Sequence, residues 1–400
     1  MKRFSWILLL TMAAAPAWCA KKITVGQLED MLRSMQHDGK PDVEVATALK
    51  QVELSQELTI NTMNSLVSYV PGPLSTEQIY VLEARSADLT PPETDLPATP
   101  APDSATQREI LGKAATYVSQ IYGQLPALAA TKTTIRFQDN VEALAASSGL
   151  QGGAQDMVTS SGFSNPATYV HYINSTEAKI ASARGAEKRP QEKTKIAWGA
   201  NKMIALEEPD PSLEAIYHEA QAAGNMQWLR WELINGKRAA VYSFSVPAKQ
   251  SRLAVDVCCF PKINQAGVAN FYSSTSGTAL GGGGGGPGGG VTGNFQTNTE
   301  WQNYKGTPAY HGEFFIDPES GIVVRMIVEA ELKPSDVVHQ LDTRIDYGPV
   351  KAGDRTLIAP VKTFVNTVVV PNGDSGAGGY KTRCTLFTAE YKDYQVTGPK

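Results

Sequence analysis

Hydrophobic residues in the first part of the chain recur three or four positions apart, which is the spacing of amphipathic helices. Leu28 and Leu32 lie on one predicted helix, and a second apolar stripe runs from Val43 to Leu54. Ser75 and Gln78 have the spacing of a capping box at the start of a further helix. Because the segments between these stripes are short, the pattern predicts a small helical domain in residues 21–90.

Proline dominates the next segment, residues 91–105, which predicts a semi-extended linker and a domain boundary. A single helix is expected over residues 106–125, where the apolar stripe returns. A separate amphipathic helix is expected over 211–224, with Gly224 ending it.

Alternation with a period of two residues replaces the helical spacing in most of the remaining chain. Asn235 and Gly236 form the strongest short hairpin signal, and a second hairpin is expected around the turn at 317–321. Further strands are expected near 131–137, 169–174, 344–347, 356–370 and 380–391. The pattern indicates an α+β protein, in which residues 106–400 form a large, curved antiparallel sheet packed on one or two helices. One face of the sheet is expected to be packed and the other to face water. A glycine-rich, disordered loop is expected near 273–300.

The first twenty residues have the order of a cleaved secretory signal peptide: a basic start, an apolar core and small residues before Ala20. Export to the periplasm or beyond the cell is therefore expected. Cys19 raises the alternative of a lipid anchor, but Trp18 stands where lipoprotein signals carry a small residue. The more favoured interpretation is that Cys19 is removed with the signal or left as the first residue.

Composition limits the classes of partner. A formal net charge of -4 predicts no broad attraction for nucleic acid. The later sequence has no uninterrupted apolar stretch of roughly 18 residues, so no membrane span is expected in the mature chain.

The sequence departs from the catalytic patterns that residue spacing reveals. His218 and Glu219 begin a zinc-protease pattern, but position 222 is alanine instead of the second histidine. The sequence contains no Gly-x-Ser-x-Gly elbow. No catalytic residue, metal site or cofactor is therefore expected.

Three cysteines follow the signal segment, and an exported chain can hold a disulfide bond. Neighbouring strand residues point to opposite faces, so only one of Cys258 and Cys259 easily meets Cys384. Cys259 with Cys384 is the suggested pair, with Cys258 in place of Cys259 as the alternative. Three unpaired thiols are an equally favoured interpretation.

Aromatic residues are frequent in the predicted sheet, and if it curves, its concave face offers an apolar ligand surface. The alternative is that they fill the core between the sheet and the helices. The candidates for this surface are Trp228, Trp231, Tyr242, Phe244, Phe314 and Tyr347.

The segments 228–247, 310–321 and 345–350 resemble a group of exported bacterial proteins of acidobacterial type, and this resemblance implies no particular activity. The hairpin followed by Ile316, Asp317, Pro318 and Gly321, then a strand with Arg325, is more distantly similar to the periplasmic lipoprotein-carrier (LolA-like) fold. That similarity implies a curved sheet that wraps around helices and shelters acyl chains.

Together these patterns predict a non-catalytic envelope protein that binds a lipid, an acyl chain or an apolar partner segment, such as part of a lipoprotein, on its curved sheet. The alternative is a structural or protein-interaction module with a solid core, in which the helical domain contacts an envelope protein. An unrecognised hydrolase is a third, less favoured hypothesis.

Overall fold

A computed structural model of the chain describes residues 21–139, 170–183, 186–188, 211–261, 301–333, 336–369 and 383–397. The fold is α+β, with helices towards the N-terminus and a large antiparallel sheet after them. The predicted signal peptide, 1–20, and the predicted glycine-rich loop near 273–300 lie outside the described residues.

The helical region contains four α-helices and a short parallel strand pair. The strands are β1 (Lys21–Ile23) and β2 (Val52–Leu54). The helices are α1 (Val25–His37), α2 (Asp42–Lys50), α3 (Ile60–Leu66) and α4 (Pro73–Arg85). The prediction that the second helix continues to Leu54 is wrong, because Val52 and Leu54 pair with β1 and bury their side chains in that strand instead.

The starts of α1 and α4 are capped in different ways. Thr24 caps α1 in a full capping box with Gln27. Ser75 does not cap α4: that helix begins at Pro73, and the Ser75 hydroxyl donates to the carboxylate of Asp42. Asp42, at the start of α2, also accepts the backbone N–H groups of residues 74 and 75. Its carboxylate therefore caps α4 in place of the Ser75 side chain.

Within the described residues, the main sheet has ten strands, all antiparallel, in the order β5-β4-β3-β14-β13-β12-β11-β10-β7-β6. Their bounds are β3 (Leu128–Asp139), β4 (Val170–Ala183), β5 (Ala186–Lys188), β6 (Gln227–Ile234), β7 (Lys237–Val246), β10 (Ala309–Ile316), β11 (Val323–Glu331), β12 (Val338–Ala352), β13 (Arg355–Val369) and β14 (Arg383–Val396). A separate pair consists of β8 (Val255–Pro261) and β9 (Trp301–Gly306).

Both predicted hairpin turns are confirmed. Asn235 and Gly236 join β6 to β7 with φ of 51° and 76°, the left-handed region that this dipeptide favours. Gly321 closes the turn before β11 with φ of 76°. A Cβ at Gly321 would lie 2.5 Å from the backbone carbon of Lys113, so this turn packs directly against the helix that contains Lys113.

In the described parts of the chain, two helices pack on one face of the sheet: α5 (Ser104–Thr116) and α6 (Leu213–Ala223). The single helix predicted over 106–125 is in fact α5 followed by a π-helical turn, Tyr117–Ile121, and a 3₁₀ turn, Tyr122–Gln124. Gly224 ends α6 in the left-handed conformation, as predicted.

The opposite face of the sheet is not simply exposed to water, so that part of the prediction is wrong. Val81 and Ala84 of α4 pack against Phe364, and Arg325 and Arg344 are only 7% and 8% exposed. The helical region covers these residues. It therefore packs onto the sheet, and only part of this face, including His311, remains open.

The proline-rich segment connects the two sides of the sheet. Just before it, the Thr90 carbonyl accepts from the backbone N–H of Glu57 on the helical side. Within it, the Pro100 carbonyl accepts from the Trp231 indole on the α5 side. Trp231 lies on the edge strand β6, so the segment passes from one face to the other beside that edge. None of the helices in the described parts of the chain is both long enough and apolar enough to span a bilayer.

Candidate functional site

Five of the six predicted aromatic residues come together on the face that α5 and α6 cover. Phe244 and Phe314 stack with ring centroids 4.4 Å apart, and Trp228 meets Trp231 at 4.8 Å and Tyr242 at 5.6 Å. We call these five residues, together with Tyr310, the aromatic layer. Such offset and edge contacts add to the stabilisation from burial.

A bulge in β6 makes this arrangement possible. Trp228 and Trp231 are three residues apart, so simple alternation would place them on opposite faces. The register shifts between Trp228 and Arg230, which makes Leu229 the extra residue and turns both indoles to the same side. The bulge also leaves Leu229 45% exposed at the sheet edge.

Hydroxyl groups fasten the two helices to the aromatic layer. Tyr242 donates to the Gln107 carbonyl at 3.1 Å, and Tyr310 donates to the Glu219 carboxylate at 2.9 Å. Tyr217 of α6 lies 5.2 Å from the Phe314 ring, between centroids, and donates to the carbonyl of residue 111 at 3.0 Å. Burial raises the pKa of Tyr242 to about 12 and raises those of Tyr217 and Tyr310 further, so these phenols stay neutral donors.

Tyr347, the sixth predicted residue, lies away from the others. Its ring makes an edge contact with Tyr122, at 5.7 Å between centroids, just after the π-helical turn. Tyr117, within that turn, is buried and lies 6.3 Å from Tyr122. Five of the six predicted aromatic residues thus lie in the aromatic layer, and Tyr347 lies beside the turns that follow α5.

A group of charged residues on the opposite face was not predicted from the sequence. We call it the charge cluster, and its members are Glu57, Arg230, Glu232, Glu313, Arg325, Arg344 and Asp346. All but Glu57 come from the sheet. Glu57 comes from the helical region, so the cluster lies at the contact between the two.

The arginines of the cluster are held in forked hydrogen bonds. Arg344 donates to Asp346 at 2.9 and 3.0 Å and also to Glu57, and Arg325 donates to Asp346 at 2.7 Å. Arg230 uses its two terminal nitrogens on Glu313, at 3.0 and 2.8 Å. These bidentate contacts suit the planar guanidinium and fix the side chains.

The carboxyl groups of the charge cluster differ in pKa. Burial would raise the pKa of Asp346, but Arg325 and Arg344 outweigh it and hold that pKa well below its usual value. Burial raises the pKa of Glu232 to about 7, even though Arg230 and Arg325 act to lower it. Asp346 is therefore the fixed anion of the cluster, whereas Glu232 takes up a proton near neutral pH.

A local signal for the cluster exists in the sequence. Arg230 with Glu232, and Arg344 with Asp346, are opposite charges two positions apart on a strand, so each pair shares one face. Such pairs are usual on exposed strand faces, and only Glu57, far away in the sequence, shows that this face is buried.

Further acidic residues lie beside the cluster. Glu329 is paired across strands with Asp342 on one side and with His311 on the other. Burial raises the pKa of Asp342 to about 7 and that of Asp88 to about 6, and the nearby Asp88 carboxyl adds to the rise at Asp342. Among the described residues, no group of three or more His, Cys, Asp and Glu side chains has the arrangement of a metal site.

The predicted disulfide lies outside the described side chains. The backbone places Cys258 and Cys259 on β8, in the two-stranded sheet, and Cys384 on β14 of the main sheet. The pairing of Cys259 with Cys384, like its alternative with Cys258, stays a prediction.

Comparisons with known proteins do not assign the chain to a family. No family model matches it, and no curated protein matches it significantly. A solved structure of the Pseudomonas aeruginosa MucA/MucB complex is similar at 9% identity, over 74% of this chain and 100% of that chain, with a TM-score of 0.19. A score this low supports no conclusion about fold or function. The resemblances to acidobacterial exported proteins and to lipoprotein carriers stay predictions.

Proposed function

We propose that this protein is a non-catalytic binding protein of the bacterial cell envelope that takes an apolar chain onto the aromatic layer. The chain is an acyl chain of a lipid or an apolar segment of a partner. The observation that carries the proposal is that two helices outside the main sheet, α5 and α6, cover the aromatic layer and are fastened to it by tyrosine hydrogen bonds.

The energetics of replacing the covering helices by an apolar ligand support this proposal. Most of the contact between the helices and the aromatic layer is apolar, so an apolar ligand would keep the same rings out of water. Each tyrosine hydrogen bond that holds the cover contributes only about 1 kcal/mol. The cover is therefore an exchangeable part of the core.

The end of α5 is a suitable place for the helix to move away from the aromatic layer. A π-helical turn follows α5 directly, at Tyr117–Ile121, and turns of this type occur often at functional sites. Ile121 is 59% exposed, whereas Tyr117 and Tyr122 are buried, so the turn rotates successive side chains between core and surface.

The proposal is tested by native mass spectrometry of the full chain exported from a bacterial host, before and after extraction with organic solvent. We expect extra mass that extraction removes, and uptake of added oleic acid by the extracted protein. Tyr217→Phe removes one bond that holds the cover, so uptake should rise by about fivefold, the equivalent of about 1 kcal/mol. Tyr80→Phe, at a 45% exposed tyrosine of α4, is the matched control and should change nothing.

A second candidate function, a protein-interaction module with a solid core, is favoured by one observation. Every ring of the aromatic layer except Trp228 is less than 9% exposed and packs on other side chains of the protein. A clean apo mass with no uptake of oleic acid would support this candidate and overturn the first. The exposed Leu229 and Leu233, at the edge of the sheet, would then be the first positions to change to asparagine in assays of envelope-protein capture.

A further inference from the structure

We infer that the contact between the helical region and the main sheet is a proton-dependent switch, which is closed while Asp88 and Asp342 carry protons and opens as their carboxyls ionise. Asp88 follows α4 in the helical region, and Asp342 lies on β12. The inference concerns the movement of two parts of the fold relative to each other, so it goes beyond the proposed function and does not depend on it.

A hydrogen bond between neighbouring residues places these two aspartates at the same contact. The carbonyl of Ala87, one residue before Asp88, accepts from Arg344 at 2.9 Å. Arg344 follows Asp342 by two positions on β12, so their side chains lie on the same face of the sheet. The helical region covers that face at Arg344, and Asp342 is only 7% exposed.

The arginines and the lysine at this contact are bound to other carboxylates. The pairs are Arg230–Glu313, Arg325–Asp346, Arg344–Glu57 and Lys362–Glu83. Within the described parts of the chain, neither Asp88 nor Asp342 forms an ion pair. Removing a carboxylate from water without such a partner is costly, so the uncharged acid is the form that fits the closed contact.

The closest neighbours of Asp342 are acidic or uncharged. Glu329 of β11 lies directly across from it on one side, and Asn366 of β13 lies across from it on the other. Gln340 of its own strand donates a hydrogen bond to it. The Asp88 carboxyl, on the helical side, is near enough to raise its pKa. Ionisation of Asp342 would therefore add a negative charge beside those of Glu329 and Asp88.

His311 of β10 opposes this repulsion only while the histidine is protonated. Its two ring nitrogens lie 3.4 Å from the carboxylates of Glu329 and Glu331, and the hydrogen bond to Glu329 raises its pKa. As pH rises through that pKa, the positive charge is lost. The histidine therefore favours the closed contact at low pH, in the same direction as the two aspartates.

Closing the contact is therefore linked to proton uptake. Burial raises the pKa of Asp342 to about 7, above the ordinary 3.8. Burial also raises the pKa of Asp88 to about 6, with Glu329 and Glu57 adding to the rise and Arg344 acting against it. In the open form water solvates both carboxyls and each pKa falls back, so the closed form binds more protons between the ordinary and the raised values. The stability that these two groups give the closed form is complete below the ordinary pKa and is lost as pH rises through the raised ones.

The test measures how often the contact opens in the full-length chain. Ala84→Cys puts a thiol on α4 where the side chain is 3% exposed and packs in the cluster with Phe364, and Ala114→Cys puts one under α5, on the other face of the sheet. Each variant is labelled with dithiodipyridine, and mass spectrometry of the peptide that carries the new thiol gives its rate. We expect the ratio of the Ala84→Cys rate to the Ala114→Cys rate to rise at least about tenfold from about pH 5 to about pH 8. The ratio cancels the pH dependence of thiol chemistry and any unfolding of the whole chain.

Further substitutions assign the protons. Asp88→Asn together with Asp342→Asn keeps both side chains uncharged, so the ratio should stay at its low value at both ends of the pH range. Asp342→Asn alone should remove most of the rise, and it serves as the test if the double variant labels both thiols at the rate of an unfolded chain. Asp30→Asn, at an exposed aspartate of α1, is the matched control and should keep the full rise. A ratio that does not change with pH, or a rise that survives these substitutions of Asp88 and Asp342, would overturn the inference and leave the proposed function intact.

Discussion

Arg344 of β12 donates a hydrogen bond to the carboxylate of Glu57, 287 residues earlier in the sequence. Both residues are buried, and the same arginine nitrogen also donates to the Ala87 carbonyl at 2.9 Å. The contact joins the sheet to the helical region at two separate points. The helical region is thus part of the structure that neutralises the buried arginines of the sheet.

Removal of the Glu57 carboxylate is expected to destabilise the whole protein. Glu57→Ala leaves Arg344 and Arg325 buried with one acceptor fewer, and breaking a buried ion pair in this way costs about 3 kcal/mol. Urea denaturation measures the loss. The control is Glu29→Ala, which breaks the exposed pair with Arg33 and should change the free energy of unfolding by less than about 1 kcal/mol. Equal effects of the two substitutions would contradict the assigned role of Glu57.

Stability is expected to fall as pH rises from about 4 to about 7. The ordinary pKa of aspartate is 3.8, and burial raises the pKa of Asp342 to about 7 and that of Asp88 to about 6 in the folded protein. The folded state therefore binds more protons than the unfolded state in this window, and deprotonation removes that advantage. The hydrogen bond that His311 donates to Glu329 raises the pKa of the histidine. The stability that this pair contributes is likewise lost as pH rises through the folded pKa of His311.

The opposite behaviour is expected below this window. The depressed pKa of Asp346 gives stability that is present above the unfolded pKa of aspartate and is lost as pH falls, so stability should peak near the lower end of the window. Urea denaturation at several pH values measures the curve. Asp342→Asn should flatten its decline towards pH 7, whereas Asp30→Asn, at an exposed aspartate of α1, should not. An unchanged slope in Asp342→Asn would show that other groups cause the decline.

Gly312 is expected to tolerate no side chain. A Cβ there would lie 2.0 Å from the carbonyl oxygen of Ile327 and 2.9 Å from the Phe244 ring. Gly312→Ala must therefore displace the backbone of β11 and a ring of the aromatic layer. We expect a loss of about 3 kcal/mol or more in the free energy of unfolding. Gly112→Ala is the control, since nothing lies within 4 Å of that Cβ and alanine favours the helix by up to about 1 kcal/mol. Similar thermal stabilities for the two variants would disprove the close contact.

The proline-rich segment is expected to loosen when its bond to β6 is lost. Trp231→Phe keeps an aromatic ring but removes the indole N–H, which donates to the Pro100 carbonyl at 2.9 Å. Loss of about 1 kcal/mol should raise the rate of limited proteolysis within residues 91–105 by about fivefold. Trp228→Phe keeps the Pro100 bond and should leave the rate unchanged. Equal cleavage of both variants would mean that this bond does not hold the segment.

Local sequence signals predicted much of the fold. Asn235 with Gly236, Gly321, and Gly224 at the end of α6 act within a few residues, so their chemistry decides turns and a helix end without help from distant parts of the chain. Alternation likewise predicted the antiparallel sheet and most of the aromatic layer. The errors arose where a distant residue outweighed a local preference, as when Asp42 took the Ser75 hydroxyl and β1 drew Leu54 into a strand.

By itself, then, the sequence determined the α+β class, the hairpins and the aromatic character of one sheet face, since these depend on periodicity and turn chemistry. Tertiary structure alone decided that the other face is covered, because burial of Arg325 and Arg344 depends on Glu57, which no spacing rule connects to them. It also decided that Trp228 and Trp231 face the same way, because the bulge at Leu229 is set by pairing with β7. Short-range patterns identify which residues can form a face, and long-range packing decides what that face meets.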